Sequence, residues 1–218
     1  MNVIEIDNIE LNFNNTEILK AVYLKGQKGK VSGILGRNGS GKTSLLRIIF
    51  GELIPNNKLI RIDRMPILKP LYKKGLIKHL PQFHFIPNST FLKKVFRYYK
   101  VSFNAFLMEF SNFKEYKNSR LLELSGGEKR IIETYLVLKP PSEIVLLDEP
   151  FSHIAPLYIE SIKNIILQEK ENKIIFITDH LYKDVLNISD TLNQIKDGWC
   201  KQINSPEDLI RFKYINSL

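Results

Sequence analysis

The stretch GILGRNGSGKTSLL, Gly33–Leu46, places three glycines within six residues, then a lysine and a hydroxyl, between two apolar runs. Glycine loses more conformational freedom on folding than any other residue, so this density marks backbone that bends tightly or approaches something closely. Within it Gly36–Thr43, GRNGSGKT, satisfies G-x-x-x-x-G-K-[ST], with an apolar strand before it and a helix after it. Backbone N–H groups turned inward, together with the free N–H groups of a helix start, form a cradle for phosphate oxygens. Gly39 and Gly41 permit that approach. The Lys42 ammonium is suited to neutralising β- and γ-phosphates, and the Thr43 hydroxyl to one coordination position on Mg²⁺. The candidate contacts are Gly36, Asn38, Gly39, Ser40, Gly41, Lys42, Thr43 and Ser44. The ligand this arrangement expects is a triphosphate.

Phosphoryl transfer needs a further metal ligand and a group that orients water, ideally on a neighbouring strand of the same sheet. IVLLDEP, Ile144–Pro150, offers both at the end of a short apolar run. Asp148 is the candidate metal ligand, and Glu149 the candidate acceptor of a proton from attacking water. Taken alone, the pair reads as an ordinary acidic turn. The glycine loop elsewhere in the chain tips the reading toward chemistry.

Around these motifs strands and helices alternate. VIEIDNIELNF has the period of a strand, and TEILKAVYLKGQKGKVSGILG reads as one or two more. KTSLLRIIFGEL puts Leu45, Leu46 and Ile49 on one helical face ahead of Gly51. KLIRIDRMPI reads as a strand, followed by GLIKHLPQ up to Gln82. Residues 83–123 change character: eight of the 13 phenylalanines fall there at helical spacing, the mark of an inserted helical subdomain. IIETYLVL continues a helix until KPP stops it, and EIVLLDEP and KIIFITDH are apolar enough for buried strands of a parallel sheet. Pro156 suits a first helical position, with Ile159, Ile162 and Ile166 sharing a face. TLNQIKDGWCKQIN reads as a hairpin turning at Asp197 and Gly198, and SPEDLIRF as the start of a last helix. The alternation argues for an α/β layered fold.

Composition narrows the class further. The 218 residues suit one domain, and a 44% hydrophobic share describes a globular chain. The single cysteine, Cys200, excludes an internal disulfide framework. The start, MNVIEIDNIE, lacks the pattern of an export signal, so the cytoplasm is the default expectation. Every long apolar run is cut by acids within a strand's length, too short to span a bilayer. The net charge of +9 comes from scattered lysines without a long basic block, and no nucleic acid is expected as partner.

With LSGGE, Leu124–Glu128, the sequence resembles the ATP-binding cassette (ABC) family, whose signature this is. The resemblance extends along the chain. Gln82 stands where the family has its Q-loop glutamine, His180 in ITDH matches the switch histidine, and Phe13 sits where an adenine-stacking aromatic is expected. The same SGGE also fits a helix capping box, a role compatible with the signature one. The resemblance implies a P-loop NTPase, RecA-like core with a mostly parallel sheet, an N-terminal antiparallel β-subdomain and a small helical insertion, the whole chain being one cassette.

It implies a mechanism as well. Two cassettes, alike or different, close head to tail, so that ATP lies between the glycine loop of one and Ser125, Gly126 and Gly127 of the other. Thr43, Gln82 and Asp148 surround Mg²⁺, Glu149 acts as base, and Lys42 and His180 meet the γ-phosphate. The cassette then powers transport through a separate membrane permease from the cytoplasmic face. LLDEPF, Pro156 and ITDH look most like the cassettes of lipopolysaccharide export and branched-chain amino acid uptake. Phe96, Tyr98, Tyr99, Phe103 and Phe106 lie where the family docks its membrane subunits, a candidate docking surface. One departure stands out: the family's S-x-L-D is here Ser152, His153, Ile154 and Ala155, so the aspartate that couples the two sites is missing. The alternative reading is a soluble ATPase of the same family acting on nucleic acid, ribosomes or cofactor assembly.

Overall fold

The computed structural model describes residues 1–211. Its centre is a six-stranded sheet whose inner strands come from the apolar runs. Strands β3 (Val31–Leu35), β7 (Ile144–Asp148) and β8 (Ile174–Thr178) are buried at every residue. Such strands need cover on both faces and parallel neighbours, and they have both. With β6 (Ile77–Leu80), β9 (Thr191–Lys196) and β10 (Trp199–Ile203), the order is β10-β9-β3-β8-β7-β6, parallel except for the β9–β10 hairpin.

Because side chains alternate across a strand, each central strand feeds two cores. Val145, Leu147, Ile175 and Ile177 face one, against helices α4 (Gly126–Leu138) and α5 (Pro156–Lys170). Ile144, Leu146, Ile174 and Phe176 face the other, against α1 (Lys42–Phe50). A second, antiparallel sheet covers α1 from outside. It is built from β1 (Val3–Phe13), β2 (Thr16–Gln27), β4 (Asn57–Ile62) and β5 (Met65–Pro66) in the order β2-β1-β4-β5. Helix α1 therefore lies between two sheets, and Ile48 is buried along with Leu45, Leu46 and Ile49, a wider apolar face than the one the sequence period suggested. Each such side chain contributes about 1.5–3 kcal/mol relative to exposure.

KLIRIDRMPI is a hairpin where one strand was expected. Asp63 and Arg64 turn it with positive φ of 48° and 70°, without a glycine, and the Asp63 carboxylate accepts from the N–H of Val3 at 2.9 Å. Residues 83–123 carry α2 (Leu92–Tyr98), α3 (Phe103–Glu109) and two short 3₁₀ turns. Phe96, Phe106, Phe110 and Phe113 close on Tyr135 of α4 as a buried aromatic cluster, with Phe106 and Tyr135 rings 5.0 Å apart. Phe96 and Phe106, expected on a docking surface, are thus core residues, because α4 lends the short segment an apolar face. Tyr98 alone of the five is fully exposed, at 82%. Helix α6 (Tyr182–Ile188) follows β8, and α7 (Pro206–Arg211) closes the described chain, Phe212 of the expected last helix lying outside the described residues. Among the described residues no helix is long and apolar enough to cross a membrane.

Candidate active site

The glycine loop leaves the buried end of β3 and runs into α1, whose N-cap, Gly41, has φ 99°. A Cβ on Gly41 would come within 2.9 Å of the Leu19 side chain, so close packing and positive φ both require glycine there. Gly39, with φ 79°, has open space where a side chain would stand. It lines a cleft of about 420 Å³ together with Phe13, Ile18, Asn38, residues 40–44, Gln82 and Glu149. The structure thus gathers the loop, the expected adenine-stacking ring, the Q-loop glutamine and the expected base around one cavity. Phe13 is half exposed there.

Lys42 folds back over the loop it follows. Its Nζ donates to the carbonyls of Gly36 (2.7 Å) and Arg37 (3.2 Å). Burial pushes its pKa below the usual lysine value, opposed by the carboxylates of Glu149, Asp148 and Asp179. Asp148 ends β7, is 1% exposed, and leaves its Oδ2 without a hydrogen-bond partner. Burial raises its pKa to about 6; the Thr43 hydroxyl opposes that rise and the neighbouring Glu149 adds to it. Lys42, Thr43 and Asp148 come from two adjoining elements and meet at one point.

Glu149 sits in the left-handed region, φ 56°, its N–H donating to the Thr178 carbonyl of β8 at 2.7 Å. Ser152 Oγ donates to Glu149 Oε2 at 3.2 Å and lies 3.4 Å from His180 Nδ1, so one hydroxyl links the expected base to the expected switch histidine. Asp179, fully buried beside His180, accepts from the N–H groups of Phe151 and Leu181 and fixes both loops. Ser125, Gly126 and Gly127 do not line the cleft. They open α4 with the capping box the sequence announces: Glu128 N–H donates to Ser125 Oγ at 3.3 Å, and Ser125 N–H to Glu128 Oε2 at 2.8 Å. A Cβ on Gly127 would collide with the carbonyl oxygen of His153, packing the signature helix against the loop after Glu149.

Ser152, Asp179, Arg130 and Glu133 escaped the sequence reading as site residues. The first two lie beside motifs, and proximity to them was the signal available. Arg130 and Glu133 lie in the helix after LSGGE and become neighbours of Gln82 only through tertiary folding.

A family model described as ABC transporter matches residues 19–152. The chain belongs to the ABC transporter family. This ABC-family chain is 27% identical over 216 residues to the ABC transporter ATP-binding protein YtrB of Bacillus subtilis, covering 95% of this chain and 73% of that protein. It is 29% identical to the B. subtilis ABC transporter ATP-binding protein YybJ, an uncharacterised protein, covering 90% and 94% of the two chains. It is 26% identical to the arabinose import ATP-binding protein AraG of Mannheimia succiniciproducens, 42% of whose length it spans. Its fold matches a solved ATP-binding subunit of an ABC transporter with a TM-score of 0.82, over 97% of this chain and 93% of that one, at 18% identity. The chain is an ABC ATP-binding subunit with an α/β P-loop core, and subunits of this family are ATPases coupled to transport.

Proposed function

We propose that this chain binds Mg-ATP in the cleft beside Gly39–Ser44, hydrolyses it, and uses the cycle to drive a transporter whose membrane part is a separate chain. The observation that carries the reading is the convergence of Phe13, residues 38–44, Gln82 and Glu149 on one cavity. Backbone N–H groups of the loop and of the α1 start receive the phosphates. Lys42 exchanges two carbonyl acceptors for phosphate oxygens, so its ammonium is held in place before the ligand arrives. The unpaired Asp148 Oδ2 and the Thr43 hydroxyl beside it fit Mg²⁺, with Gln82 as a third candidate ligand. When bound, the ion would neutralise charge on the β- and γ-phosphates. Glu149 takes a proton from the attacking water, and His180, joined to it through Ser152, meets the γ-phosphate.

Ser125–Gly127 stand outside the cleft, and this supports a head-to-tail pair in which they close the partner's site. A groove of about 570 Å³ along α2, lined by Phe85, Ile86, Pro87, Val95 and Tyr98 with Lys94 and Arg97 at its side, is our candidate docking surface for the membrane subunit. It keeps Tyr98 and Tyr99 of the expected surface, which both line it, and leaves out the buried Phe96 and Phe106. The chain as one cassette with a helical subdomain near residues 83–123, working on the cytoplasmic face, belongs to the same proposal. The finer likeness to lipopolysaccharide or branched-chain amino acid cassettes has no support in the names of the relatives above.

Two variants test the reading. Lys42→Ala is expected to weaken ATP binding at least tenfold by calorimetry, since a buried cation at the phosphate site is lost. Glu149→Gln is expected to bind ATP as wild type does and to release no phosphate. Normal ATP affinity in the first, or full turnover in the second, contradicts the assigned roles.

A further inference from the structure

Two charged side chains on α4 are almost wholly buried and belong to none of the motifs: Arg130, 3% exposed, and Glu133, 1% exposed. Three residues apart, they share a side of the helix. Arg130 reaches three main-chain carbonyls on two elements. Nη1 donates to Pro81 at 2.6 Å, Nε to Glu149 at 3.1 Å, and Nη2 to Asp148. The reason lies at the end of β6. Its parallel ladder with β7 runs to Leu80 opposite Leu147, and the next residue, Pro81, has no N–H with which to continue it. The guanidinium supplies donors where the ladder stops, in a planar fork that one ammonium cannot imitate.

Glu133 completes the attachment. Its Oε1 accepts from the N–H groups of Phe85 (3.0 Å) and Ile86 (3.3 Å), and its Oε2 pairs with His84 Nδ1 at 2.8 Å. Gln82 and Phe83, between the two attachments, are exposed. Gln82 therefore rides an arch whose two feet are fastened to the helix that begins with Ser125–Gly127. The other two carbonyls that Arg130 holds are those of Asp148 and of the expected base: Glu149 keeps its left-handed φ between Arg130 on its carbonyl and Thr178 on its N–H.

We infer that Arg130 and Glu133 are positioning residues that hold Gln82 and Glu149 in one frame and couple that frame to the signature helix. The inference rests on the hydrolytic reading of the cleft for its kinetic consequences, and on geometry alone for its structural ones.

The test uses the full chain with Arg130→Met, Arg130→Lys and Glu133→Gln. Amide hydrogen exchange is followed at Glu149 and Phe151 for the arginine variants and at Phe85 and Ile86 for Glu133→Gln. Those amides are expected to exchange about tenfold faster, with β3 and β8 unchanged. In steady-state assays kcat for ATP hydrolysis is expected to fall about 100-fold in Arg130→Met while ATP affinity stays within about twofold, because misplacement of catalytic groups strikes turnover before binding. Arg130→Lys recovers part of the rate, and it keeps the charge that helps the variant fold. Unchanged exchange at these amides overturns the inference, as does a fall in affinity matching the fall in kcat. A wild type without ATP turnover would instead defeat the hydrolytic reading, and the exchange comparison would still decide the positioning role.

Discussion

At the scale of single residues, the site shows how burial prepares charges for use. Lys42 and Asp148 are both taken out of water, and each is shifted toward its neutral form, against a partner of opposite sign. His79, on β6 near the same region, shows the same physics without a partner. Its ring lies 5.3 Å from that of Phe50, its Nε2 has no hydrogen bond, and burial lowers its pKa from 6.5 to about 4, with Arg130 and Arg47 adding to the fall and Glu52 opposing it. The folded chain keeps this ring neutral, whereas the unfolded chain takes up a proton below pH 6.5. Stability is therefore lost as pH falls from about 6.5 toward 4, and His79 accounts for about 2 kcal/mol of that loss by pH 5. Denaturant titrations of wild type and His79→Leu at pH 7 and pH 5 check this: the difference between the two proteins should move in the variant's favour by that amount on acidification. A difference independent of pH would show that the ring titrates normally.

At the scale of elements, helix starts carry the chemistry and the sequence discloses them unevenly. The capping box at Ser125 is legible because its residues are local, three apart in the chain, and Ser125→Ala should cost about 1 kcal/mol by thermal or chemical unfolding. Helix α5 lacks such a cap. Its N-cap, Ala155, has extended backbone, φ −62° and ψ 139°, and makes no side-chain bond to the first turn. Ala155→Asp, which restores the family's missing aspartate, should stabilise the chain by about 1 kcal/mol, since an N-cap carboxylate both accepts a bond and faces the positive helix end. No gain in the unfolding midpoint would mean that the loop after Glu149 cannot turn its side chain toward α5. Of the central strands, β7 and β8 were equally legible, because EIVLL and KIIFIT are apolar runs of strand length, rich in β-branched residues and bounded by polar turn residues. The turn at Asp63 and Arg64 was not, since neither is glycine and its stability comes from the distant N–H groups of Asn2 and Val3. Arg130 and Glu133 were hidden for the same reason: in sequence they are ordinary charged residues of a helix, and their acceptors and donors lie some 20 to 50 residues away.

At the scale of the whole molecule, the separation of Ser125–Gly127 from the phosphate cleft predicts how the chain assembles. One cleft gathers Phe13, the glycine loop, Gln82 and Glu149; the Ser125–Gly127 start of α4 stands apart from it, and with the Glu128 N–H taken by Ser125 Oγ, the N–H groups of Gly126 and Gly127 are left for an anion. If the two meet only across a pair of chains, ATP becomes part of the interface, and its binding energy adds to dimer stability. Glu149→Gln, which blocks the reaction that would remove the γ-phosphate, should then migrate as a dimer in size-exclusion chromatography with light scattering when Mg-ATP is present, and as a monomer with Mg-ADP. Ser125→Glu placed in the same background puts a carboxylate against the partner's phosphates while leaving the chain's own cleft untouched. It should abolish the ATP-dependent dimer and preserve monomer affinity for ATP. A dimer that survives Ser125→Glu would place the interface elsewhere, and a monomer in Glu149→Gln at saturating Mg-ATP would show that this cassette closes only on a different partner chain, in keeping with Ala155 where the two sites would otherwise be coupled.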